Sequence, residues 1–133
     1  MKLVFADAFY FIALLNAHDA ANARAGEFTQ GYSGQYVTTT ATLIELADAF
    51  SNPNSRLAAG RFLGDLPASK AMRIVHVDME LFQAGIELYR ARQDKDWSLT
   101  DCISFVVMQR EDITDALTGD RHFEQAGFKA LLK

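Results

Sequence analysis

Leu3-Val4-Phe5-Ala6-Asp7 is a run of apolar residues closed by an acid. A strand wetted on one face alternates apolar and polar residues, whereas an unbroken apolar run with β formers is expected of a strand covered on both faces of a parallel sheet. Three later segments extend that reading. Gln35 to Thr40 is rich in β-branched and aromatic residues and is expected to be a second strand. Arg73 to Val77 and Ile113 to Leu117 are expected to be the third and fourth.

The intervening segments have helical character. Phe9 to Leu15 is apolar almost all round and stops at Asn16. A helix from about Asp19 to Gln30 has Asp19 as its N-cap and Gly31 and Gly34 at its end. Ala41 to Phe50 is helical, Asn52-Pro53-Asn54 breaks the chain, and Leu57, Phe62, Leu63 and Leu66 suit an amphipathic helix ending near Pro67. Asp78 caps a helix on which Leu81, Phe82, Gly85, Leu88 and Tyr89 trace one face. Arg90 to Ser98 is expected to be a loop and Leu99 to Arg110 a helix. Strands alternating with helices imply βαβ units with right-handed crossovers, hence an α/β fold in three layers around a parallel sheet of four to five strands.

With 133 residues, half of them apolar, one globular domain spanning 1–133 is expected. The formal charge of −4 argues against a basic nucleic-acid-binding surface, so any nucleic acid would be held locally. Cys102 is the single cysteine, placed in an apolar stretch, which suits a reducing cytoplasm. No run approaches the ~18 apolar residues of a membrane span, and the amino-terminal segment lacks a secretory apolar region. A cytoplasmic protein without membrane association is expected.

In open α/β sheets ligands bind beyond the carboxyl ends of the strands. Asp7 stands at such an end, and Asp120 follows Ala116-Leu117-Thr118-Gly119, where the glycine permits close backbone approach. Glu45 and Asp101 lie in apolar helical segments, and a charge so placed wants an ion pair or a metal. Gathered together, these four acids suit Mg²⁺ or Mn²⁺, hard cations that prefer oxygen ligands. His18, His76 and His122 lack mutual ligand spacing, which argues against zinc.

Those segments resemble a PIN-domain ribonuclease of the VapC toxin type across essentially the whole chain. The match is carried by Val4-Phe5-Ala6-Asp7, by Thr38-Thr39-Thr40 leading to Leu43-Ile44-Glu45-Leu46, by Ser98-Leu99-Thr100-Asp101-Cys102-Ile103-Ser104-Phe105, and by Ala116-Leu117-Thr118-Gly119-Asp120-Arg121-His122-Phe123. The resemblance implies that Asp7, Glu45, Asp101 and Asp120 are the metal-binding and catalytic set of a metal-dependent endoribonuclease. It gives Thr100 and Thr118 supporting roles, with Thr118 orienting Asp120 or a metal-bound water. It also implies a type II toxin-antitoxin system, a homodimer, a small antitoxin and a structured RNA substrate. The family commonly places Ser or Thr directly after the first acid, and this chain has Ala8, so that hydroxyl is missing.

Several residues admit two readings. Arg121 and His122 beside Asp120 are candidates for substrate phosphate contact or for structural roles, and Trp97 for base stacking or for tying its loop to the core. Asp101 or Ser98 caps the helix that follows. Arg90, Arg92 and Lys95 give a local basic rim, while Asp94 and Asp96 are expected to be solvated. Phe9, Tyr10 and Phe11 exceed what one helix needs for its own sheet and suggest a partner surface. A receiver domain would need paired acids after strand one and a later Lys, and an Asp-nucleophile phosphatase an acid where Phe9 stands. The remaining alternative is a non-catalytic PIN-like protein-binding module.

Overall fold

Residues 3–6 form β1 (Leu3–Ala6) and alternate between two cores, as period-two geometry requires. Val4 and Ala6 pack into one cluster and Phe5 into the other. The computed structural model describes residues 2–133.

The remaining elements follow in order: α1 (Ala8–Leu15), α2 (Asn22–Gly31), β2 (Gln35–Thr39), α3 (Thr40–Ala49), α4 (Pro53–Asp65), β3 (Met72–Val75), α5 (Met79–Ala91), α6 (Leu99–Arg110), β4 (Asp115–Leu117), α7 (Arg121–Gln125) and β5 (Lys129–Ala130). The sheet order is β3-β2-β1-β4-β5, with parallel pairing throughout. Helices cover both faces. Tyr10 and Phe11 of α1, Ala25 of α2 and Leu46 of α3 pack with Val4, Tyr36 and Leu117 on one side. Leu81 of α5, Ile103, Phe105 and Met108 of α6 and Phe123 of α7 pack with Phe5, Val37 and Ala116 on the other. This is the three-layer arrangement expected from the sequence.

Some boundaries differ for local reasons. Asp19 does not cap α2; its Oδ1 accepts from Ala21 N at 2.8 Å in a turn, and the helix starts at Asn22. The segment at 90–98 is only partly a loop, because α5 runs on to Ala91. Asp78 caps α5 as expected, accepting from Leu81 N at 2.9 Å. Asp120, accepting from His122 N, nucleates the five-residue α7, and β5 completes the sheet beside β4. The aromatic surplus of α1 is not a free surface: Tyr10 and Phe11 are buried, and Phe9 packs against the same core. A second helical sublayer, α2 and α4, absorbs it through Tyr10 Oη to Thr29 Oγ1 at 2.7 Å and Phe11 against Phe62. Among the described residues no helix is long and apolar enough to cross a membrane.

Candidate metal centre at the carboxyl edge of the sheet

The three central strands β2, β1 and β4 end side by side, and each delivers an acid to the same edge. Asp7 directly follows β1. Glu45 lies one turn into α3, which leaves β2 without a loop because Thr39 caps it, accepting from Thr42 N at 3.1 Å. Thr38 Oγ1 donates to Ala6 O at 2.8 Å and ties the ends of β2 and β1 together. Asp120 follows β4 after Gly119, where an added Cβ would lie 2.6 Å from the Phe9 ring. The glycine therefore permits the close approach anticipated from the sequence.

Asp101 enters from the opposite layer on the first turn of α6. Ser98 is the N-cap, and Asp101 is the third residue of a capping box: Ser98 Oγ accepts from Asp101 N at 3.0 Å, and Ser98 N donates to Asp101 Oδ2 at 3.3 Å. The competition between the two residues for the cap thus resolves into both roles at once.

The four carboxylates act on one another electrostatically. Burial pushes the Asp7 carboxyl up to about 7; the Thr118 hydroxyl pulls it down, and Glu45 and Asp101 push it up. Glu45 is held above the usual carboxylate range by burial and by Asp101, Asp120 and Asp48. Burial also raises Asp101, opposed by hydrogen bonds from Ser98 and His122 and reinforced by Asp120. No cation is among the groups that shift Asp7 or Glu45. Repelling acids at a partly dry edge are the condition a divalent cation relieves.

The donor chemistry fits such an ion. One ligand atom each from Asp101, Asp120 and His122 lie within 4.8 Å of one another. His122 Nδ1 faces Asp101 Oδ2 at 3.0 Å and Asp120 Oδ2 at 3.4 Å, while Nε2 faces Asp96 Oδ1 at 3.1 Å. Neither Asp96 nor this use of His122 was apparent from the sequence, where Asp96 reads as a solvated loop acid. The only available signal was the adjacency of Asp120 and His122 across two positions.

The supporting residues are rearranged. Thr118 Oγ1 donates to Asp7 Oδ2 at 2.9 Å and accepts from Asp120 N at 3.1 Å, so it orients the Asp7 carboxylate and not that of Asp120. From the residue directly after β4 it supplies a hydroxyl to Asp7, which Ala8 cannot. Thr100 is turned to a different feature: it borders an apolar cleft with Thr40, Ile44, Val77 and Phe82. Of the two readings open for Trp97, the contacts it makes are those that tie its loop to the core. It is 6% exposed, donates from Nε1 to Gln125 Oε1 at 2.9 Å, meets Phe105 edge-on and carries Arg92 over its ring. Arg121 is exposed and lies 3.5 Å from Asp96 Oδ2. Of the basic rim, Arg92 and Lys95 are partly neutralised by Asp94.

A family profile described as PIN domain matches residues 4–129. Proteins from two strains of Mycobacterium tuberculosis, each described as 23S rRNA-specific endonuclease VapC20, are 26% identical over 126 residues, covering 95% of this chain and 95% of theirs. The crystal structure of Mycobacterium tuberculosis VapC20, described as a sarcin-ricin loop cleaving toxin, is similar with a TM-score of 0.87 and 26% identity over 96% of each chain.

Proposed function

The chain belongs to the PIN-domain family, and from that premise we propose that it is an endoribonuclease in which Asp7, Glu45, Asp101 and Asp120 hold Mg²⁺ or Mn²⁺ at the scissile phosphodiester. The observation that carries the proposal is the convergence of ligand atoms of Asp101, Asp120 and His122 within 4.8 Å of one another, beside Asp7 and Glu45, whose carboxyls are held above their usual range first by burial and then by neighbouring acids. A divalent ion bound there supplies charge to developing phosphate oxygens and lowers the pKa of a water. The protein's own part is positioning. Asp7 is fixed by Thr118, Asp101 by the capping box, and Asp120 by its cap to α7. The close Gly119 turn and the α1 aromatics seal the edge from the core side.

The relatives' descriptions support ribosomal RNA as substrate and a toxin role; an antitoxin partner is what the family resemblance implies, and a single cytoplasmic domain is what the composition of the chain suggests. An RNA strand leaving the centre has a path along a cleft of about 990 Å³ bordered by Tyr89, Arg90, Lys95 and Ser98, beside Asp101. Arg121, exposed beside Asp120 and 3.5 Å from Asp96 Oδ2, is the candidate for a phosphate contact next to the centre. A homodimer is supported by the family resemblance and by the exposure of Ile44 at 63% and Met79 at 66%, since the α1 aromatics are spent on the core; light scattering that shows monomer across a wide concentration range would overturn it.

The test is cleavage of purified ribosomes and total RNA with Mg²⁺ or Mn²⁺. EDTA is expected to abolish cleavage, and Asp7→Asn, Glu45→Gln and Asp101→Asn each to lower its rate by roughly 100-fold or more, a loss typical of removing an electrostatic catalytic group. Activity indifferent to EDTA would sink the metal mechanism. RNA binding without cleavage by the parent would favour the non-catalytic module.

A further inference from the structure

His122 lies with Asp101 and Asp120 in one group of ligand atoms, and both of its ring nitrogens face carboxylates. Nδ1 lies between Asp101 Oδ2 and Asp120 Oδ2, at 3.0 and 3.4 Å. In this arrangement the ring nitrogen occupies the region toward which the two acids converge. Nε2 lies 3.1 Å from Asp96 Oδ1, on the far side of the ring. A carboxylate accepting from one nitrogen of a histidine while the other faces a metal position is the relay that fixes the tautomer and ring orientation of metal-binding histidines. The backbone supports the placement too, because His122 N donates to Asp120 Oδ1 at 2.9 Å and ties ligand candidates two positions apart into one turn. The side chain is largely buried at 17% exposure, so the ring is held and not free to sweep.

We propose that His122 is a metal ligand through Nδ1, that Asp96 is its positioning residue through Nε2, and that the resulting nitrogen-containing set favours Mn²⁺ over Mg²⁺. The inference rests on the four-acid reading above and adds a donor to it. Imidazole suits transition metals, whereas Mg²⁺ prefers oxygen donors and near-ideal octahedral geometry. Asp96 itself is 70% exposed and acts on the ion only by orienting the ring. With a cation held by the two acids, a ring carrying its proton on Nε2 would donate to Asp96 and turn the Nδ1 lone pair to the ion, in place of the contact Nδ1 makes with Asp101 Oδ2 at 3.0 Å.

The experiment is pulsed electron paramagnetic resonance of Mn²⁺ added to the full chain, prepared with natural-abundance or ¹⁵N-labelled histidine, alongside calorimetric titration with Mn²⁺ and with Mg²⁺. A nitrogen coupling that changes with the label is expected in the parent and is expected to vanish in His122→Ala. His122→Ala and His122→Asn should each weaken Mn²⁺ binding by roughly 10-fold or more, and Mg²⁺ binding by less than about 3-fold, in line with the loss of one tuned ligand. Asp96→Asn should keep the coupling but alter its strength, with a smaller fall in Mn²⁺ affinity. Mn²⁺ bound without any label-sensitive nitrogen coupling in the parent overturns the ligand role, and this readout does not depend on whether a variant folds. Equal weakening for both ions overturns the selectivity. Failure of Mn²⁺ to bind the parent at all would instead sink the four-acid centre on which the inference stands.

Discussion

Asp7 is a carboxyl group in a place water barely reaches, 6% exposed, with two other acids acting on it and the Thr118 hydroxyl and Ala8 backbone to hold it. Its carboxyl is pushed up to about 7 from 3.8, so the folded chain binds a proton more readily than the unfolded one between those values. Folded stability is then fully present below pH ~4 and is lost as pH rises through about 7, at a total cost of roughly 4 kcal/mol without metal. Asn has nearly the same shape, keeps an oxygen to accept from Thr118, and does not titrate. Urea denaturation in EDTA should therefore show Asp7→Asn gaining about 2 kcal/mol on the parent between pH 5.5 and pH 8. A constant difference across that window would mean that Asp7 is not strained by its charge. At this scale Glu45 and Asp101 stood out as candidates because a charge inside an apolar run is conspicuous, and Asp7 and Asp120 because each follows a strand. His122 did not, because its meaning comes from Asp96 and Asp101, which lie 26 and 21 positions away in the chain and are brought to it only by folding. Trp97 stayed open between two roles for the same reason: an aromatic in a loop is seen to be anchored only when Gln125 and Phe105 close on it.

At the scale of elements, the position of Asp101 depends on how α6 lies on α5. An added Cβ at Gly85 of α5 would meet Ile103 Cγ1 at 2.5 Å, and Ile103 is buried, with only the cleft beside Thr100 to shift toward. Gly85→Ala gains about 1 kcal/mol of helix propensity, but overpacking of this kind typically costs about 1 to 3 kcal/mol, so the variant should be neutral to clearly less stable. The discriminating measurement is a double-mutant cycle. Ile103→Ala opens the contact, so the two substitutions together should cost at least about 1 kcal/mol less than their sum. Simple additivity would show that the helices separate freely at this point. RNA cleavage by Gly85→Ala should fall too, because a shift of α6 carries Asp101 with it. The helix face through Leu81, Gly85 and Leu88 was readable from its spacing, as were the strands before Asp7 and Glu45. The two-residue β5 and the five-residue α7 are too short to show a period; one exists by pairing with β4 and the other by the Asp120 cap. Strand order was not readable either, since it is set by which helical faces meet and not by any one segment.

For the whole molecule, an acidic chain carrying −4 brings Asp101, Asp120 and His122 together beside Asp7 and Glu45 at one edge of the sheet, and that edge joins both halves of the core. Asp7, Glu45 and Asp120 follow strands at the centre of the sheet, while Asp101 belongs to the α5–α6 layer. An ion held by all of them cross-links layers that otherwise meet through apolar packing. It binds the folded chain and has no assembled site in the unfolded one, so it shifts unfolding by mass action, by about 2.7 kcal/mol at a hundred times its dissociation constant. For a chain of this length that corresponds to a rise in melting temperature on the order of 10 °C for the parent in saturating Mn²⁺. Asp101→Asn keeps a side chain able to accept from Ser98 N within the capping box, so α6 should survive, but it removes the charge through which that layer holds the ion. Its Mn²⁺-dependent rise, followed by circular dichroism, should fall to roughly a third of the parent's or less. An equal rise in the two proteins would mean that Asp101 serves only the capping box, and the centre would then contract to Asp7, Glu45 and Asp120 on the sheet's own side.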